Sequence, residues 1–136
     1  MPAADPIYER ITKGIRVAVR PKFLEQQSRP EDSHFVWSYT IRIENRGQET
    51  VTLRSRHWNI TDGRGRVQKV NGAGVVGEQP KLAPGQSFEY TSGVPLKTPT
   101  AIMQGTYRME REAGGFVDVF VPPFSLDSPH MSRAIN

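Results

Sequence analysis

Asn71 to Pro80 reads NGAGVVGEQP. Its Gly72, Gly74 and Gly77 spell G-x-G-x-x-G, and the fold depends on what flanks them. A dinucleotide fingerprint needs a strand feeding a tight turn that opens a helix, whose N-terminus takes the pyrophosphate. Here Gly77 is followed by Glu78-Gln79-Pro80 and then Lys81-Leu82-Ala83-Pro84. Two prolines so close together do not open a helix. No Gly-Lys-Ser/Thr follows, so the stretch is not a P-loop either. The glycines then serve the backbone. They permit positive φ angles, and the segment is expected to cross from one sheet to the other, with Val75 and Val76 pinned to the core.

Outward from this stretch, apolar residues recur with a period of two, the mark of half-buried strands. In GIRVAVRPKF, Ile15, Val17 and Val19 alternate with Arg16, Ala18 and Arg20. In HFVWSYTIRIEN, Phe35, Trp37, Tyr39, Ile41 and Ile43 share a face, which predicts a central strand. Asn45 to Gln48 is its turn, with Gly47 expected at positive φ. TVTLRSRHWNITD starts with Val51 and Leu53 inward, then changes phase to Trp58 and Ile60, which predicts a bulge near Arg56 and His57. Asp62 to Gly65 is a turn, and RVQKV returns as a hairpin partner. Pro84-Gly85 turns into a strand carrying Phe88 and Tyr90. A further strand places Met103, Tyr107 and Met109 on one face, with Gly105 in line. Gly114-Gly115 is a hairpin turn, and Val117, Val119 and Val121 follow on one face until Pro122-Pro123 ends the strand. Seven strands and no amphipathic helix predict an all-β, two-sheet sandwich of the immunoglobulin or fibronectin type III class. Tyr107 is a candidate tyrosine corner, with an ordinary core tyrosine as the alternative. Residues 7–129 are read as one domain; 1–6 and 128–136 are read as flexible tails.

The composition narrows the chemistry. In 136 residues there is no Cys, so disulfides, thiolate nucleophiles and zinc-thiolate sites are excluded together. Asp5, Glu9 and Arg10 stand where a signal peptide needs an apolar run. No apolar stretch approaches the ~18 residues of a membrane span. A cytoplasmic protein without membrane insertion is expected. The net charge of +4 is mild. With no aromatic-interleaved basic stripe, it does not predict nucleic-acid binding. The sequence does not set the number of associating chains.

Candidate sites are few. A glycine-rich loop can present backbone N–H groups to an anion without a helix. Arg56, Arg64, Arg66 and Lys69 precede the Gly72, Gly74 and Gly77 loop, with Arg54, His57 and Asp62 among them. If they converge there, they make a phosphate or pyrophosphate site, because guanidinium matches phosphate oxygens bidentately. His34, His57 and His130 lack metal-ligand spacing, so no metal or other cofactor is expected. Asp118, inside an apolar strand, is the one carboxylate expected to be partly buried, with an Arg or backbone partner or, alternatively, a catalytic role. No G-x-S-x-G elbow is present, so the chain is not expected to be an enzyme.

YTIRIENRG, SRHWNITDGRG, GAGVVGEQPKLAPGQSFEYTSG, MQGTYRM and FVDVFVPPFSL together resemble the bacterial ApaG family. The resemblance runs from Ile15 to Pro129 and is most specific from Arg56 to Gly93; Ala101 departs from a position that is often Gly. It implies a fibronectin type III-like sandwich and an association with cobalt resistance and magnesium efflux. Similar domains in eukaryotic F-box substrate adaptors and a polymerase-interacting protein imply a binding module. The expectation is a non-enzymatic module that binds a protein partner or small anion through loops or a sheet edge. The alternative is a pyrophosphate- or nucleotide-binding protein or weak phosphohydrolase using the Gly72–Gly77 loop.

Overall fold

A computed structural model describes residues 7–130. Its strands are β1 (Tyr8–Thr12), β2 (Ile15–Phe23), β3 (Phe35–Asn45), β4 (Val51–Asp62), β5 (Val67–Ala73), β6 (Lys81–Leu82), β7 (Ser87–Leu96), β8 (Thr100–Arg111) and β9 (Phe116–Asp127). One sheet has the order β1-β2-β3-β7; the other runs β5-β4-β8-β9, with β6 also on β4. Every pairing between these strands is antiparallel. The two sheets face each other as a sandwich. No helix among the described residues is long and apolar enough to cross a membrane.

The alternating residues of β3 behave as their pattern demands. Phe35, Trp37, Tyr39, Ile41 and Ile43 are all buried, and β3 lies between β2 and β7. Val17 and Val19 join them from β2, and Met103, Tyr107 and Met109 from β8. Each large apolar side chain taken from water contributes roughly 1.5–3 kcal/mol, so this inner layer holds the sheets together. Trp58 packs edge-on against Tyr39, Tyr107 and Phe124, joining the two sheets through aromatic rings.

Several local expectations are corrected. β1 and β6 add two strands to the seven. β1 escapes notice because exposed Glu9, Arg10 and Ile11 lie between half-buried ends, and β6 has only two residues. The β4 bulge falls between Leu53 and Ser55, before Arg56, where Arg54 is left out of the β8 register. Gly47 has no positive φ. The tighter demand falls on facing Gly14, where a Cβ would come within 2.9 Å of Gly47 Cα, while one on Gly47 would meet Asn45 Oδ1 at 3.3 Å. The Gly47 N–H is held by Asn45 Oδ1 at 2.9 Å. Asn45 is itself buried and donates Nδ2 to Glu49 O and Leu82 O, fastening three segments.

Pro122-Pro123 does not end β9, which continues to Asp127. The register instead shifts between Met103 and Gly105, so the prolines occupy an irregularity where ladder donors are missing anyway. Tyr107 is not a corner residue: its hydroxyl meets that of Tyr90. At the chain end, Ser128 is buried and donates its N–H to Pro99 O, while His130 reaches the Glu25 carboxylate. The expected tail residues 1–6 and 131–136 lie outside the described residues.

Candidate functional site

The glycine stretch is a continuation of sheet structure. β5 runs through Asn71, Gly72 and Ala73 beside β4, with Gly72 opposite Arg56. Gly74 then donates its N–H to Arg54 O at 2.8 Å. Val75 and Glu78 exchange both backbone hydrogen bonds around Val76-Gly77, forming a two-residue turn with φ of 43° and 81°. No helix follows; β6 pairs with the same strand β4. The segment therefore stays on one sheet, and the crossing comes later, at Ala83–Gln86 between β6 and β7. Val75 is fully buried as expected, whereas Val76 is 53% exposed at the tip.

Two of the three glycines are packed against neighbours. A Cβ on Gly72 would lie 2.7 Å from Arg56 Nη1, and one on Gly74 would collide with Glu78 O. Gly77 has open space around it. The Arg56 guanidinium lies over Gly72 and donates Nη1 to Gly74 O at 2.9 Å and Ala73 O at 3.2 Å. It is half-buried and has no carboxylate partner within 4 Å among the described residues. Behind it, the Tyr90 and Tyr107 hydroxyls form a buried pair. Burial pushes both phenols well above their ordinary pKa, the hydrogen bond between them opposing this at Tyr90 and adding to it at Tyr107.

The other candidate cations do not gather here. Arg66 and Arg64 belong to the β4–β5 turn at the far end of β5, about 20 Å of extended chain away from Gly72. Lys69 lies midway, opposite Asn59. Arg66 Nε is bound to Asp62 Oδ2 at 3.2 Å. Burial works against charge on Asp62, but backbone N–H donors from Arg66 and Arg64 hold its pKa below the ordinary value. Arg54 is engaged with Glu110 and Gln79. Of the sequence-predicted set, only Arg56 meets the loop with an uncompensated charge.

Asp118 is exposed, contrary to expectation, because the face it shares with Phe116 and Phe120 is the outer one. Arg108 and Arg10 cover those two rings at 4.4 and 4.5 Å. The histidines remain apart. His34 pairs through its backbone with Arg29, His57 Nδ1 contacts Asn71 Oδ1, and His130 contacts Glu25. No group of three or more His, Asp or Glu that could hold a metal ion occurs among the described residues.

The sandwich is asymmetric at its sides. β9 packs against β1 and β2 and closes one side, where Phe120 N–H reaches Thr12 Oγ1. No comparable packing joins β5 to β7. A cavity of about 300 Å³ opens between them, lined by Ile60, Val67, Gln68 and Leu96 among others. The bonds Asp62 N–H to Arg66 O and Gly74 N–H to Arg54 O set the ladder parity of β5. By alternation, Val67, Lys69 and Asn71 turn their backbone groups away from β4, to the free edge. On β7 the same argument from Asn45 N–H to Gln86 O puts Pro95 on the free edge, where it lacks a donor. Sequence reasoning missed this edge because strand order is not written in a strand's own residues.

Known proteins place the architecture. The ApaG domain model matches residues 25–111. A protein named ApaG from Rhodospirillum centenum is 59% identical over 124 residues, covering 91% of this chain and 95% of that one. One from Paramagnetospirillum magneticum is 56% identical over 130 residues, covering 96% and 100%. The crystal structure of an ApaA protein from Bordetella pertussis matches with a TM-score of 0.82 at 45% identity, over 93% of this chain and 98% of that one. With a family model over most of the chain and relatives above half identity along nearly their whole length, this chain belongs to the ApaG family.

Proposed function

We propose that this protein is a non-enzymatic recognition module that receives an extended segment of a partner protein along the free edge of β5. The carrying observation is the open side of the sandwich. β5 presents outward backbone groups at Val67, Lys69 and Asn71 beside an opening that mixes apolar Ile60, Val67 and Leu96 with charged Asp62, Arg66 and Lys97, while the facing edge of β7 is blunted by Pro95. An added strand gains main-chain hydrogen bonds from such an edge and side-chain specificity from the adjoining opening. The cobalt and magnesium association implied by family resemblance is then indirect, acting through the partner.

Affinity capture with the intact protein and with Lys69→Pro tests this. The substitution removes an outward donor and no bond to β4. A dominant partner that is retained by the intact protein and lost by the variant supports the reading. Equal capture by a folded Lys69→Pro protein refutes it.

A second reading is favoured by Arg56, a half-buried cation without a carboxylate partner beside the Val76-Gly77 turn. In this reading the loop holds phosphate or pyrophosphate against the guanidinium. Saturable pyrophosphate-induced amide shifts at Gly74–Gly77, absent in Arg56→Gln, favour it; unmoved amides at millimolar ligand remove it.

A further inference from the structure

A half-open cleft of about 1080 Å³ lies at the end of the sandwich, at the opposite end of β5 from Gly74. Three segments frame it: Glu25–Ser33 with its two short 3-10 turns, the Gly63-Arg64 turn, and the Lys97–Thr100 loop. They are tied in place. Thr98, 3% exposed, accepts the Gly63 N–H at 3.0 Å and donates to Thr100 O at 2.9 Å. Ser28 Oγ donates to Leu24 O and accepts the Val36 N–H. Buried Phe35, with Pro30 and Pro99, supplies apolar lining. This volume lies just above the roughly 300–1,000 Å³ usual for small-molecule sites.

The charges are sorted by segment. Arg64 and Lys97 come from the two strand-connecting loops, and neither has a carboxylate within 4 Å among the described residues. Glu25 and Glu31 come from the 3-10 segment; Glu25 is engaged with His130 and Glu31 has no cationic partner there. An arrangement with two uncompensated cations on one part of the lining and an uncompensated acid on another does not favour a simple anion. It matches a dipole.

We propose that this cleft binds a short zwitterionic peptide or peptide-like molecule, its carboxylate toward Arg64 and Lys97, its ammonium toward Glu31 and an apolar side chain between. An extended tripeptide spans about 10 Å. The site is separate from the glycine loop and shares only Lys97 with the opening beside β5, so the Arg64 and Glu31 responses distinguish it from the β5 reading.

The test uses glycyl-phenylalanyl-glycine and its N-acetylated and C-amidated forms, titrated into ¹⁵N-labelled intact protein. The zwitterion is expected to give saturable shifts at Ser33, Arg64, Lys97 and Thr98. C-amidation is expected to weaken binding at least about tenfold, as a lost charge-assisted contact does. The Arg64→Gln/Lys97→Gln protein is expected to bind the unmodified peptide as weakly, and to be indifferent to amidation. Glu31→Gln is expected to be indifferent to acetylation in the same way. All three positions are exposed, so these variants fold, and their melting temperatures check it. Absence of saturable shifts up to about 10 mM peptide, or equal binding of all three peptides, overturns the proposal. So does a response to acetylation or amidation that the matching variant leaves unchanged.

Discussion

Tyr90 on β7 and Tyr107 on β8 bring their hydroxyls to 2.5 Å of each other, across the interface between the two sheets. Both rings are buried, at 7% and 0% exposure. Each hydroxyl is therefore the other's hydrogen-bond partner where water is excluded.

Removing one hydroxyl strands the other. Tyr107→Phe is expected to cost about 1–3 kcal/mol, the desolvation penalty of an unpaired buried group. Tyr90→Phe/Tyr107→Phe is expected to recover much of that loss, since no polar group is then left over. Urea unfolding of the singles and the double closes the cycle. Additive losses would contradict mutual satisfaction.

Alkali should unfold the protein through the same pair. Both phenols titrate above their ordinary pKa in the folded state because burial disfavours the phenolate. The unfolded chain begins to release these protons near pH 10 while the folded chain keeps them. Stability is thus fully present below about pH 10 and falls above it, by up to about 1.4 kcal/mol per pH unit for each tyrosine. Melting curves from pH 8 to 11 are expected to drop in the native protein. The drop is expected to be shallower in the double phenylalanine variant.

Acid should act at the surface networks. The Arg42 side-chain hydrogen bond leads the depression of the Glu44 pKa, with Arg16 and Arg46 adding to it; the Ala113 N–H leads at Glu49. Their stabilisation is present above the ordinary carboxylate range and lost as pH falls through the lowered values. Glu44→Gln is expected to reduce the acid sensitivity of the melting temperature below pH 5, and added salt to reduce it further.

Gly105 faces Trp58 at a close approach. A Cβ there would sit 2.7 Å from Trp58 Cε3 and collide with His57 O. Gly105→Ala is expected to destabilise by about 3 kcal/mol or more, at or beyond the upper end for overpacked cores, because the backbone of His57 cannot yield. Gly65→Ala, at φ 82° in open space, is expected to cost only the left-handed strain of about 1–2 kcal/mol. Equal losses would mean that the Trp58 contact carries no constraint.

Val76 holds φ at 43° although it is β-branched and exposed. Asn and Gly are the usual residues of such a two-residue turn. Val76→Asn is expected to raise stability by about 1 kcal/mol, whereas Val75→Asn, at a fully buried site, is expected to lower it. Thermal melts of the two variants compare them directly.

The strands were legible where one face is buried and the other wet. Phe35 to Ile43 announced β3 through alternation alone, because a pleat puts every second side chain in the core. The prolines after Gly77 likewise excluded a helix, since proline supplies no backbone donor. Other features depend on chain segments distant in sequence. The β4 bulge lies at Arg54 and not near Arg56 and His57, because a phase change shows that a residue is inserted without showing which one loses its partner. Asp118 is exposed and not partly buried, because an alternating strand does not say which face meets the second sheet. Arg64 and Arg66 are near Gly72 in sequence, but the extended β5 separates them from it and sends Arg64 to the end cleft and Arg66 to the opening between β5 and β7. Sequence by itself determined seven of the nine strands, most of the turns and the family, because pleat periodicity and proline and glycine stereochemistry are local. Tertiary structure alone decided the Tyr90–Tyr107 pair, the open β5 edge and the cleft, because each is made by strands whose adjacency is set by the packing of two sheets.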